Sequence, residues 1–116
     1  MPAGADTVEI RESDRPGVAV VVPKGDIDMS CSPQLRDALR RVQDKRPARI
    51  VVDLASVRYM DSSGLATLVE AMKNAKQHQT RLVLCAMNDK VLAIFEIARL
   101  HQYFVISDSL DQAYEA

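Results

Sequence analysis

The sequence predicts a single α/β domain. It should be a mixed, mostly parallel β-sheet that begins with an N-terminal hairpin, with four crossover or terminal helices packed mainly on one face. Three observations carry that expectation. Short runs of β-branched and aliphatic residues recur at 18–22, 50–52 and 82–84. Between them lie stretches with apolar residues at helical spacing. A turn signal, Asp14-Arg15-Pro16-Gly17, separates the first two strand-like segments. Alternation of strand and helix implies parallel strands joined by right-handed crossovers, and near-continuous apolar strands fit a sheet covered by helices. At 116 residues and 47% hydrophobic content, the chain is of a size to bury one core.

Residues 1–7 read as a loose arm, which leaves 8–116 as the domain. An alternating stretch at 8–11 and the β-branched run at 18–22 form the hairpin, ended by Pro23, Lys24 and Gly25. Ser32 followed by Pro33 is a cap and first-turn pair for a helix carrying Leu35, Ala38, Leu39 and Val42 on one side, with Arg36, Arg40 and Arg41 turned away. Pro47 stops it. A strand at 49–54 leads to a helix after Asp61 that buries Leu65, Leu68, Val69 and Met72. A strand follows at 81–87. Asn88 or Asp89 then caps a helix with Val91, Ile94, Phe95 and Ala98 on its inner stripe. Leu92 and Ile97, off that stripe, suggest either a second contact area or a well-covered core helix; the core reading is preferred. A last strand at 103–106 precedes a terminal helix opened by a capping box of Ser109 and Gln112.

Composition removes several functions. The formal net charge is −1 with both signs interspersed, which gives no reason to expect a nucleic acid or a membrane as partner. The basic residues Arg36, Arg40, Arg41, Lys45, Arg46 and Arg49 bunch, and read first as the wet side of a helix and its exit turn, with an acid-binding patch as the alternative. No apolar run approaches bilayer length and no signal peptide is evident. Cys31 and Cys85 lack metal-ligand spacing and read as free thiols of a reduced cytoplasmic protein.

The chemistry concentrates at Asp61-Ser62-Ser63-Gly64. Strand precedes it and helix follows, so its hydroxyls lie at a helix N-terminus, where backbone N–H groups lack partners and favour negative charge. A serine there can cap the helix, attack a substrate or accept a phosphate. Loops leaving the carboxyl ends of strands are where open α/β sheets gather ligands, and they place Asp26 and Asp28 on the same rim. A serine hydrolase needs a nearby base and a G-x-S-x-G elbow. The two histidines, His78 and His101, lie beyond the far ends of helices. Four glycines give no phosphate-binding loop pattern. The carboxylate pairs Asp26/Asp28 and Asp53/Asp61 read as solvated turn residues before divalent-ion ligands. Met29, Met60 and Met87 each follow or end a predicted strand and can ring Ser62. They are either an adaptable docking patch or plugs under the loops.

Four segments in register resemble the STAS domain, and more narrowly the bacterial anti-sigma-factor antagonists. They are Gly25-Asp26-Ile27-Asp28, the run from Val51 to Val57, Met60-Asp61-Ser62-Ser63-Gly64-Leu65, and the run from Asp108 to Ala113. The resemblance implies a non-enzymatic STAS-type domain with Ser62 as the phosphorylated residue. It further places Asp28, the family's turn aspartate, at the partner surface. The residues themselves add Asp26, Asp61, Ser63 and Gly64 as shaping that surface, with Met29, Met60 and Met87 as its apolar part if they form a docking patch and not plugs under the loops. The implied partners are an anti-sigma factor that is itself a serine kinase with a histidine-kinase-type ATPase fold, and a metal-dependent serine phosphatase. The chain needs no cofactor, since ATP and magnesium belong to the kinase. Phosphorylation is expected to switch binding off with little refolding. The alternative is a STAS subunit of a lipid-transport or other signalling complex without phosphorylation. The sequence departs from the family pattern at Ala66, at Gln77-His78-Gln79-Thr80 and at Ala98-Arg99-Leu100, where the family favours glycine.

Overall fold

The computed structural model describes residues 8–116, so the arm expected at 1–7 lies outside the described residues. The elements are β1 (Val8–Glu12), β2 (Val18–Pro23), β3 (Gly25–Ile27), α1 (Ser32–Asp44), β4 (Arg49–Asp53), β5 (Val57–Met60), α2 (Ser62–Gln77), β6 (Arg81–Cys85), α3 (Asp89–Ile97), β7 (Val105–Ser107) and α4 (Leu110–Ala113). Five strands form one sheet in the order β1-β2-β4-β6-β7. The β1–β2 hairpin is antiparallel, and β2–β4, β4–β6 and β6–β7 are parallel. The mixed, mostly parallel sheet predicted from the sequence is therefore present.

Side chains alternate across this sheet, as strand geometry requires. Val21, Ile50, Val52, Leu82 and Leu84 point to the face that α1, α2 and α3 cover, where they join Leu35, Leu39, Leu68, Val91 and Phe95 in the larger core. Burying side chains such as Leu35 and Leu39, at most 1% exposed, stabilises the fold by roughly 1.5–3 kcal/mol each. Val20, Val22, Val51, Val83 and Cys85 point the other way and meet Ala113 of α4. Three helices lie on one face and the short terminal helix on the other.

Four sequence expectations need correction. The first concerns β3 and β5, which pair in parallel as a separate two-stranded sheet where loops were expected. Strands of three and four residues, each bearing exposed polar groups, show no readable period. Gly25 adopts φ +79 to turn the chain out of β2, and its N–H donates to the Ser56 carbonyl at 2.8 Å. The second is the cap of α1. Cys31, not Ser32, is the cap residue and offers no side-chain acceptor; the Asp28 carbonyl accepts from Cys31 N and Ser32 N at 3.1 and 2.8 Å instead. The third is α3. Only Val91 and Phe95 of its nine residues are buried, and Ile97 is 84% exposed, so it is not a covered core helix. The fourth is the last strand, which starts two residues later than expected. Tyr103 and Phe104 belong to the preceding turn, and the Phe104 ring packs edge-on against Phe95 at 5.5 Å.

Candidate functional site

The small β3–β5 sheet builds the site. Ile27 pairs with Met60, and the Ile27 carbonyl accepts from Asp61 N at 3.0 Å. That bond sets the exit of β3 beside the start of α2, so the loop carrying Asp28 and the turn carrying Ser62 share one rim. The loop after β6 is fastened to the same platform. Asn88 Nδ2 donates to the carbonyls of Val57 and Arg58 at 3.1 and 3.4 Å, while its Oδ1 accepts from Val91 N at 2.8 Å and caps α3. One side chain thus ties α3 to β5.

At the start of α2 the two serines have different roles. Asp61 is the cap, and its Oδ1 accepts from Ser63 N at 2.8 Å, Ser63 Oγ at 2.6 Å and Gly64 N at 3.3 Å. Ser63 is half-buried and its hydroxyl is committed to Asp61. Ser62, the first helical residue, is exposed, and no hydrogen bond holds its hydroxyl among the described residues. The helix cap and the free hydroxyl therefore reside on neighbouring residues, and Ser62 is open to modification without loss of the cap.

Gly64 is buried, and a Cβ built on it would lie 2.6 Å from Met60 Cγ and 2.8 Å from Ile27 Cγ2. Its missing side chain lets α2 sit down on the β3–β5 sheet; it does not face a partner. Met60 is fully buried beneath it and is likewise removed from the expected docking surface. The three methionines divide. Met29 is 77% exposed, Met87 is half-buried against the core, and Met60 is a plug under the helix start.

Asp28 and Asp26 are both at the rim with different surroundings. The Asp28 carboxylate accepts from Ser30 Oγ and Ser30 N, and those bonds hold its pKa below the ordinary value of 3.8. It stays ionised at any physiological pH. Asp26 is exposed on β3 and pairs with Arg58 of β5 at 3.4 Å. Sequence reasoning missed Arg58 and Tyr59. Both are exposed on β5, Tyr59 at 50%, and Tyr59 is register partner to Asp26. The only available signal was adjacency to the Met60-Asp61-Ser62 segment.

The remaining candidates fall away from this rim. His78 ends α2, a sixteen-residue helix that begins at Ser62, which places it about 24 Å along the axis at 1.5 Å per residue. His101 lies in the turn after α3. Neither arrangement offers Ser62 a base. Among the described residues, no group of three or more His, Cys, Asp or Glu is positioned to hold a metal ion.

The sequence pattern of the STAS domain matches residues 8–113. An anti-sigma-B factor antagonist from Listeria monocytogenes is 35% identical over 102 residues, covering 88% of this chain and 89% of that protein. One from Staphylococcus aureus is 28% identical, covering 75% and 81%. The crystal structure of an anti-sigma factor antagonist from Mycobacterium paratuberculosis superposes with a TM-score of 0.83 at 26% identity, covering 95% of this chain and 93% of that one.

Proposed function

We propose that this chain, which belongs to the STAS domain family, is an anti-sigma-factor antagonist whose docking is controlled by phosphorylation of Ser62. As a family member it is a binding protein, not an enzyme. The observation that carries the proposal is the exposed Ser62 hydroxyl, free of the hydrogen bonds that occupy Ser63. The unphosphorylated rim captures an anti-sigma factor and so releases a sigma factor. The same partner, a serine kinase with a histidine-kinase-type ATPase fold, transfers phosphate to Ser62. A metal-dependent serine phosphatase removes it. ATP and magnesium belong to the kinase. These events are cytoplasmic, and no helix among the described residues is long and apolar enough to cross a membrane.

The electrostatics support an off-switch. Phosphate adds between about 1.5 and 2 negative charges at pH 7. At the first position of α2 those charges meet the positive end of the helix dipole, while Asp61 keeps the cap bonds to Ser63 N and Gly64 N, so the helix tolerates them. Across an interface the outcome is different. Asp28 is already ionised and Asp61 caps the same turn, so a docked partner must desolvate three anionic groups unless it supplies cations. The exposed Met29 and Tyr59 side chains supply the apolar part of the contact, and Asp26 with Arg58 its polar edge.

The test is incubation with candidate anti-sigma kinases and ATP, followed by mass mapping and binding measurements. Phosphate should appear on Ser62. Ser62→Ala should bind the partner as the unmodified protein does, and Ser62→Asp at least about tenfold more weakly, a change of roughly 1.4 kcal/mol. Phosphate on Ser63, or equal affinity of the two variants, overturns the proposal.

A further inference from the structure

The five-stranded sheet ends in β1 on one side and β7 on the other. β7 has three residues and β1 five, and β1 pairs with β2 alone among the described residues. The outer side of an edge strand offers N–H and C=O groups to another chain, and proteins blunt such edges with proline, bulges or charge. β1 has no proline, and its register with β2 runs without a shift from Val8↔Pro23 to Glu12↔Ala19. Ile10, at its centre, is 42% exposed. Glu9 and Arg11 flank it and are about half exposed.

The ordinary reading makes Glu9 and Arg11 the blunting charges. Against most strands they are. Against a second copy of β1 their signs and spacing act differently. An antiparallel copy centred on Ile10 sets Glu9 directly opposite the partner's Arg11, and Arg11 opposite the partner's Glu9. Directly opposed side chains share a face, and unlike charges there attract. Sliding the pairing by two residues in either direction puts Glu9 on the partner's Glu9, or Arg11 on the partner's Arg11. The strand thus selects its own copy in one register. Within one protomer, Arg11 Nη2 and Lys24 Nζ both approach Glu9 at Oε1, at 3.3 and 3.5 Å, which leaves Oε2 open to a further cation. These exposed pairs contribute little singly, whereas two copies join them into a ring of alternating sign.

On the other face of β1, Ile10 borders a hollow of about 430 Å³ shared with Arg41, Val42, Asp44 and Lys45 at the end of α1. It leaves space above the edge for the partner's Ile10. Its lining carries both signs, which suits a surface that meets itself in an isologous contact.

We propose that β1 is a homodimer contact. Two copies pair antiparallel about a two-fold axis through Ile10, making one continuous sheet, with Glu9 of each protomer against the partner's Arg11. The contact is short, so association is weak and concentration-dependent. It involves neither Ser62 nor the β3–β5 pair and stands apart from the switch proposed above.

Sedimentation velocity over a concentration series tests it. Wild type should pass from monomer toward dimer as the concentration rises to about 1 mM, the weak end expected of a small interface. Glu9→Arg and Arg11→Glu each oppose like charges in the homodimer and should weaken it at least about tenfold. An equimolar mixture of the two variants restores both unlike pairs and should dimerise again. Ile10→Lys keeps Glu9 and Arg11, places like charges on the axis and should also prevent dimerisation, which keeps the test decisive if a charge-reversed variant fails to fold by circular dichroism. Three results overturn the proposal: a wild type that stays monomeric throughout, folded variants that dimerise as wild type does, and a mixture of the two folded charge variants no more dimeric than either alone.

Discussion

Ser62 and Ser63 are chemically identical and adjacent, yet hydrogen bonding gives them separate roles. Ser63 donates to Asp61 and accepts from Thr67 Oγ1 at 2.9 Å through its carbonyl, while Ser62 projects outward. One residue on, Gly64 is set by packing. Gly64→Ala forces a methyl against Met60 and Ile27, and the Ile27 branch carbon is too close to its backbone to swing aside. Urea unfolding should show a loss of about 1–3 kcal/mol, the cost typical of overpacking. Asp28 makes a pH prediction. Its folded pKa is depressed, so its contribution to stability is present above the ordinary carboxylate range and is lost as pH falls through that range. Asp28→Asn should therefore flatten the acid limb of a stability-versus-pH curve, most visibly below about pH 4. A variant curve parallel to wild type across that limb is the contrary result.

Among the elements, the long periodic ones were legible and the short ones were not. Leu35, Ala38, Leu39 and Val42 are all buried on α1 as their spacing required, and Asn88 and Ser109 cap α3 and α4 with their side chains. The placement of Ser62, Asp61 and Asp28 around the start of α2 was legible because cap chemistry and loop position are local properties. β3 and β5 were not, because their pairing is non-local and their exposed residues, Asp26, Arg58 and Tyr59, mask any alternation. Ile97 misled because an apolar side chain on a helix predicts burial only if something packs there. The helix ends hold a further lesson. Just beyond the caps of α1, α2 and α3, Arg46, Gln79 and Arg99 adopt φ of 53, 58 and 59. After α2 and α3, Thr80 N and Leu100 N reach back to the carbonyls of Ala75 and Phe95 at 2.8 Å each, the bonding of a left-handed helix terminus. Side chains there cost roughly 1–2 kcal/mol that glycine avoids. Gln79→Gly and Arg99→Gly should each raise stability by up to about 1 kcal/mol, after allowing for the greater freedom of glycine in the unfolded chain, as thermal melts can show.

At the scale of the molecule the two faces of the sheet are unequally protected. α1, α2 and α3 cover one face. The other relies on α4 and the residues after it, held by Arg49 to the carbonyls of Ala113 and Ala116, by Arg81 to Ala116 at 2.7 Å, and by Arg15 over Tyr114. Beneath them Cys85 is fully buried, and burial followed by the charge of Asp53 pushes its thiol up to about 12. It is protonated and unreactive at neutral pH. Tyr114→Ala removes both cover and a cation–π contact, and should accelerate modification of Cys85 by a thiol reagent at pH 8 while costing about 1–3 kcal/mol. Unchanged labelling would mean that the terminal segment does not guard that face. The β3–β5 pair has the opposite character. It adds no strand to the five-stranded sheet, yet it displays Asp26, Arg58 and Tyr59 outward and fixes the start of α2 from below. Under the docking proposed above, recognition is thereby decoupled from foldedness: rewriting the letters on this small signboard would change which regulator is read and leave the building that holds it standing.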